Sequence, residues 1–201
     1  MAGGRAENLI ARKIKERAGR PDWVIFTDAA TSAEIIAAIS FKRADFEIGE
    51  SASEVISAVA GPYWDHLFDK TNKIYGLEML ALLEKLYRPN WDIRNQNATF
   101  HIDNRNAFEA VIKNNATPTV IGAMAHLIWH RIRALQITAW FEWAPGTRNI
   151  ADLPTRNVDI PFVCRNRRSF ENLRELHTVI EKATRALEVG RPIAIPSTLG
   201  Q

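Results

Sequence analysis

The first apolar run of the chain is "WVIFTD", residues 23–28. It is short and rich in β-branched and aromatic residues, which predicts a buried central strand. "EIIAAISFKR" (34–43) and "ADFEIGES" (44–51) predict its antiparallel neighbours. Residues 53–70 mix helical and loop signals, with Gly61-Pro62 as a break. Within "IYGLEMLALLEKLYR", apolar side chains recur three and four apart and predict a helix over 73–87. Tyr75, Met79, Leu82 and Leu83 should face the sheet, with Glu78 at the edge of that face. "NATFHID" (97–103) predicts a further strand and 104–114 a short helix. Thr117 and Pro118 are expected as N-cap and first residue of a longer helix running through "TVIGAMAHLIWHRIRALQ". "ITAWFEWAP" (137–145) predicts the last strand, 146–149 a turn, and "IADLPTR" a short irregular or helical piece. Residues 6–18 read as a basic helix, 170–189 as a final helix, and "GRPIAIPSTLGQ" as a tail.

The resulting order is three strands, helix, strand, two helices, strand, helix. Such a chain is α/β, with helices needed to cover a sheet. No internal repeat is visible. The expected organisation is a basic N-terminal extension (1–21), a domain over 22–156, and a basic C-terminal extension with one helix (157–201).

Composition narrows the class. The 201 residues are 46% hydrophobic and 24% charged, which suits one globular domain with extensions. No run approaches a membrane span. The start lacks a signal peptide's apolar region, so the expected location is cytoplasmic or nucleoid-associated. Cys164 is the only cysteine, which excludes an intrachain disulfide and a cysteine-built metal site.

Charge is unevenly spread. Residues 1–20 carry six basic and two acidic groups, 21–152 carry 12 and 16, and 153–201 carry eight and five. An acidic middle between basic flanks fits a cation site helped by phosphate-binding arms.

Four acidic residues fall where the predicted elements could bring them together. Asp28 ends the first strand, Glu78 lies on the first long helix, Asp103 ends the fourth strand, and Asp152 follows the last. If strands one and four are adjacent and parallel, Asp28 and Asp103 leave the sheet at one edge, where open α/β sheets place sites. Taken singly, each has an ordinary use as a turn, surface or cap residue. Taken together, four carboxylates repel unless cations neutralise them. An all-oxygen donor set favours Mg²⁺ or Mn²⁺. Two such ions can activate water and stabilise a leaving oxygen in phosphodiester hydrolysis.

"FTDAATS", "IYGLEMLALL", "FHIDNRNAFEAV" and "WFEWAPGTRNIADLPTR" together resemble the four blocks of the ribonuclease H-like superfamily. The resemblance is closest to the ribonuclease H domain attached to reverse transcriptases of retroelements and pararetroviruses. It spans roughly residues 22–156, and its last block is strongest, with Gly146, Asn149, Ala151, Asp152 and Arg156. It implies a five-stranded mixed sheet of order 3-2-1-4-5 flanked by helices. It also implies two metal ions, Mg²⁺ or Mn²⁺, on Asp28, Glu78, Asp103 and Asp152, and cleavage of the RNA strand of an RNA–DNA hybrid. The chain departs from the family pattern in two places. Ala29-Ala30-Thr31-Ser32 replaces a glycine-rich stretch, and no histidine lies between Trp143 and Asp152. No polymerase domain is expected within this length, so a separate polymerase or mobile-element protein is a possible partner. The competing readings are a structure-selective DNA nuclease of the same fold and a degenerate nucleic-acid-binding accessory module.

Other residues are candidates for substrate contact. Asn104 could bind a phosphate or sugar, or cap the helix that follows it. Arg148 and Arg156 flank Asp152 and could hold phosphates. Arg165, Arg167 and Arg168 form the densest basic cluster and suit sequence-independent phosphate contact. His101 should share a face with Asp103, as a core residue or a substrate contact. His126 and His130 have metal-ligand spacing on a helix but no supporting glutamate or cysteine, so that helix, with Arg131 and Arg133, reads as a solvated edge or a backbone contact. Trp64 and Trp91 could stack on bases or pack internally.

Overall fold

The computed structural model describes residues 21–48, 51–61, 64–88, 93–160, 163–168 and 173–195. The expected N-terminal helix, Trp91 and the end of the tail lie outside them. Strand β1, Trp23–Ala30, occupies the middle of the main sheet. Its side chains alternate between two cores. Trp23 and Ile25 join the larger one, and Val24 and Phe26 the smaller. The strand is therefore buried on both faces, which explains its continuous apolar sequence.

Strand β2, Ile35–Lys42, pairs antiparallel with β1, with Asp28 opposite Ala37. Residues 44–51, expected as a strand, are mostly helix: α1 covers Arg43–Ile48, followed by the two-residue β3, Ser51–Ala52. Ala and Glu are weak strand formers, and Arg43 pairs with Glu47 one turn on. Phe46 then packs its ring on Phe26 and Phe41. The third long strand is β4, Glu54–Val59, inside the stretch whose signals were mixed. It pairs antiparallel with β2, which would otherwise be an open edge.

Helix α2 covers Lys73–Tyr87, as its periodicity predicts. It is buried almost all round, Tyr75, Glu78, Met79, Leu82 and Leu83 included. Two features seat it. Gly76 lets the Phe68 ring approach so closely that a Cβ there would lie 2.5 Å from ring carbons. Lys85, fully buried, reaches Glu54 (2.6 Å) and Ser40 (3.0 Å), pinning the helix over β4 and β2.

Strand β5, Asn97–Ile102, lies parallel to β1, and α3, Arg105–Lys113, follows it. Helix α4 covers Thr119–Ala134. Thr117 is not its cap: Pro118 holds that position in extended conformation, without a side-chain bond. Strand β6, Thr138–Trp143, pairs parallel with β5. A single 3₁₀ turn, Gly146–Arg148, then leads to the short helix α5, Asp152–Thr155.

Described segments beyond 156 also join this core. Strand β7, Val163–Cys164, pairs with β3, and β8, Arg167–Arg168, pairs with β4. Helix α6, Leu173–Glu188, buries Leu176, Ile180 and Ala183 in the larger core, packed against α4. The fold is thus α/β, an open mixed sheet with helices on its faces. The strand order is β6-β5-β1-β2-β4-β8, which departs from the expected five-strand order through the extra edge strand β8. Among the described residues no helix is long and apolar enough to cross a membrane.

Candidate metal centre

The parallel pairing of β1 with β5 places Thr27 opposite Ile102. The next residue of each strand is an aspartate, so Asp28 and Asp103 come side by side at one end of the sheet. Helix α2 brings Glu78 to the same point. Carboxylate oxygens of Asp28, Glu78 and Asp103 lie within 4.8 Å of one another. Asp28 and Glu78 are buried, and Asp103 is partly so.

The site binds its own carboxylates unevenly. Glu78 Oε1 accepts from the Ala29 backbone N–H (3.3 Å), and the buried Glu78 carboxyl, when protonated, hydrogen-bonds to Asp103. The Thr155 hydroxyl donates to Asp28 Oδ2 (2.5 Å). Burial pushes Asp28 up to about 7, helped by the charges of Asp103 and Asp152 and opposed by the Thr155 hydrogen bond. Burial, with Asp28 and Asp103 beside it, raises Glu78 well above the usual carboxylate range. Asp103 is raised as well, again chiefly by burial. All three acids are thus pushed toward their neutral forms, first by burial and then by one another's charge.

Asp152 stands at the rim rather than in the cluster. It is close enough to raise Asp28 and Asp103, but its Oδ1 accepts from Arg156 Nε (2.6 Å). Its loop is held to the sheet by Asn149. That buried side chain donates to the Thr27 carbonyl (2.8 Å) and accepts from the Ala151 N–H (3.2 Å). On the other side, Gly146 approaches Asp103, where an added Cβ would lie 3.4 Å from Oδ2. Trp143 Nε1 donates to the Asp103 carbonyl (2.7 Å) and fixes the exit of β5.

The remaining sequence candidates divide by position. Asn104 caps α3, accepting from the Ala107 N–H (3.0 Å). Arg148 is exposed in the turn between β6 and α5, and Arg156 is engaged with Asp152. Arg165 pairs with Asp45 (3.0 Å). Arg167 and Arg168 lie on β8, three strands from β1, or about 14 Å at the usual strand spacing. His101 stacks on Phe26 (4.4 Å between centroids), and burial holds it below the usual histidine value. Trp64 is fully buried, which settles it as a packing residue. Arg131 is buried too, donating to the Leu86 carbonyl (3.0 Å) and lying over the Tyr87 ring. His126 and His130 belong to no metal-binding group among the described residues. Sequence reasoning missed Thr155 and Trp143. Thr155 lies three residues after Asp152, a spacing that puts both on one face of a helical turn.

The residues present fit a hard divalent cation. The donors are all carboxylate oxygens, and burial drives them toward the neutral form, which a bound cation would reverse. No protein-family model matches the chain, and no significant match to it is found among characterised proteins or solved structures.

Proposed function

We propose that the chain is a metal-dependent nuclease of ribonuclease H type, hydrolysing the RNA strand of RNA–DNA hybrids. The observation that carries this reading is the convergence of Asp28, Glu78 and Asp103 within 4.8 Å from three separate elements. The five longer strands support it as well, since without β8 they run β4-β2-β1-β5-β6. Numbered by their place in the chain, that is 3-2-1-4-5.

Asp28, Glu78 and Asp103 would hold two Mg²⁺ or Mn²⁺ ions, with Asp152 completing the set once Arg156 releases it. Bound ions of this kind activate the attacking water and stabilise the leaving oxygen. Water adds to phosphorus, the bond to the 3′ oxygen breaks, and the products carry a 5′-phosphate and a 3′-hydroxyl. The Ala29 N–H and the Thr155 hydroxyl orient Glu78 and Asp28 before any ion arrives. Arg148, exposed in the turn between β6 and α5, would take a phosphate of the substrate. Preference for RNA in a hybrid rests on the resemblance of the four sequence blocks.

The test is cleavage of end-labelled RNA–DNA hybrid, duplex DNA, single-stranded DNA and duplex RNA, each with Mg²⁺, Mn²⁺ or EDTA. Metal-dependent cutting of the hybrid's RNA strand, abolished in a folded Asp103→Asn variant, is expected. Cutting of DNA instead would establish the structure-selective DNA nuclease. Equal turnover by the Asp103→Asn variant would remove the carboxylates from the mechanism. Tight binding without turnover on every substrate would identify an accessory module.

A further inference from the structure

A second group of metal-ligating side chains lies away from the carboxylates and shares no residue with them. His177 and Glu181 stand one turn apart on α6, so they point the same way. His66 meets them from the segment that precedes α2, 111 residues earlier in the chain. Ligand atoms of all three lie within 4.8 Å of one another.

Two of the three spacings are those of ligands around a small ion, and the third is within 4.8 Å. His66 Nε2 is 3.1 Å from His177 Nε2 and 3.3 Å from Glu181 Oε1. Tetrahedral zinc, with bonds of about 2.0–2.1 Å, separates its ligand atoms by about 3.3 Å. His177 Nδ1 also lies 3.9 Å from Glu181 Oε2, and a cation at the centre would be met by one lone pair from each of the three side chains. The rings are also braced. Trp64, fully buried, meets His177 edge to face at 5.0 Å and stacks on Phe68. His66 is half-exposed, so one side of the group stays open to solvent. Arg185, 3.9 Å from Glu181 Oε1, is the nearby competing cation and is itself largely exposed.

We propose that His66, His177 and Glu181 form a transition-metal site of zinc type that clips α6 to the segment preceding α2. Two imidazoles and a carboxylate select Zn²⁺, or Co²⁺ as its spectroscopic substitute, over the Mg²⁺ that suits the all-oxygen centre. The fourth position is filled by water or by a donor from another molecule. An ion here ties the C-terminal helix to the core and stabilises the fold by binding only its folded form.

The experiment uses the full chain without an affinity tag, stripped of metal and held in excess Mg²⁺ to fill the carboxylate centre. Addition of Co²⁺ should produce the visible ligand-field absorption of a low-coordinate site with nitrogen donors, and one equivalent of Zn²⁺ should quench it. His66→Ala should weaken Co²⁺ and Zn²⁺ binding by at least about 100-fold, since even outer-shell partners account for about 10–100-fold. His177→Gln should do the same, and Zn²⁺ should raise the thermal midpoint of the unmodified protein but not of His66→Ala. Asp103→Asn should leave the absorption intact. Absence of the absorption, its persistence in His66→Ala, or its loss in Asp103→Asn would each overturn the proposal. None of these readouts depends on nuclease activity.

Discussion

Replacing Asp28 by Asn should make the metal-free protein more stable above neutral pH. The folded protein holds a proton on Asp28 up to about pH 7, whereas the ordinary value is 3.8. Between those values the folded state binds the proton and the unfolded chain does not. Stability therefore falls as pH rises through this window, and the full penalty stands above about 7. The displacement corresponds to at most about 4 kcal/mol. Relaxation of Glu78 and Asp103 will absorb part of it, so a gain of about 1–4 kcal/mol is expected for Asp28→Asn at pH 8. The asparagine keeps an oxygen for the Thr155 hydroxyl, so the substitution removes charge with little change in packing. The assay is urea unfolding of both proteins in EDTA from pH 4 to 9. The advantage of the variant should be largest at pH 8 and vanish near pH 4. With Mg²⁺ at about 100 times its dissociation constant, the unmodified protein should gain about 2.7 kcal/mol, and the variant should gain much less. A variant that is equally or less stable than the unmodified protein at pH 8 in EDTA would refute the reasoning. It would show that burial of Asp28 carries no ionisation penalty.

Asn149→Ala should cost about 1–3 kcal/mol for each of the two buried groups it leaves without a partner, measured by denaturant unfolding, and should lower cleavage further by freeing the loop that carries Asp152. Thr155→Val keeps the shape but removes the donor to Asp28 Oδ2. It should move Asp28 still higher, shifting the pH dependence of Mg²⁺ affinity upward in calorimetric titrations; an unmoved profile would show that the hydroxyl does not tune the site. Gly76→Ala should destabilise by about 1–3 kcal/mol through overpacking, despite alanine's better helix propensity, because its Cβ meets the Phe68 ring at 2.5 Å. A stabilised Gly76→Ala protein would mean that the ring can yield.

The reach of the sequence follows from what is local. The apolar run of β1 and the periodicity of α2 report burial directly, and α2 lies over residues 73–87 as predicted. Asn104 before α3 announces its cap for the same reason, since the capping oxygen and the N–H it accepts are three residues apart. The four candidate acids are legible only as a set, since each alone has an ordinary use at the end of an element or on a helix face. Strand pairing is different, because it joins distant segments whose local signals are weak. Residues 44–51 became helix α1 and 54–59 became the third long strand, once β2 needed a partner and Phe46 found Phe26.

Only tertiary structure decided how the acids behave. Glu78 reaches the Ala29 N–H across 49 residues, and Thr155 reaches Asp28 across 127. Nothing in the surrounding letters announces either contact. Asp28, Glu78 and Asp103 hold their protons more tightly than free carboxyls because folding removes water from groups that it also brings together, and desolvation is a property of the packed site. Asp152, which resembles the other three in sequence, is set apart by its position at the rim and its pairing with Arg156. The sequence by itself determined which elements form where burial is periodic, and which side chains are candidates for chemistry. The fold decided which of them meet, which are spent on caps and ion pairs, and which are stripped of water.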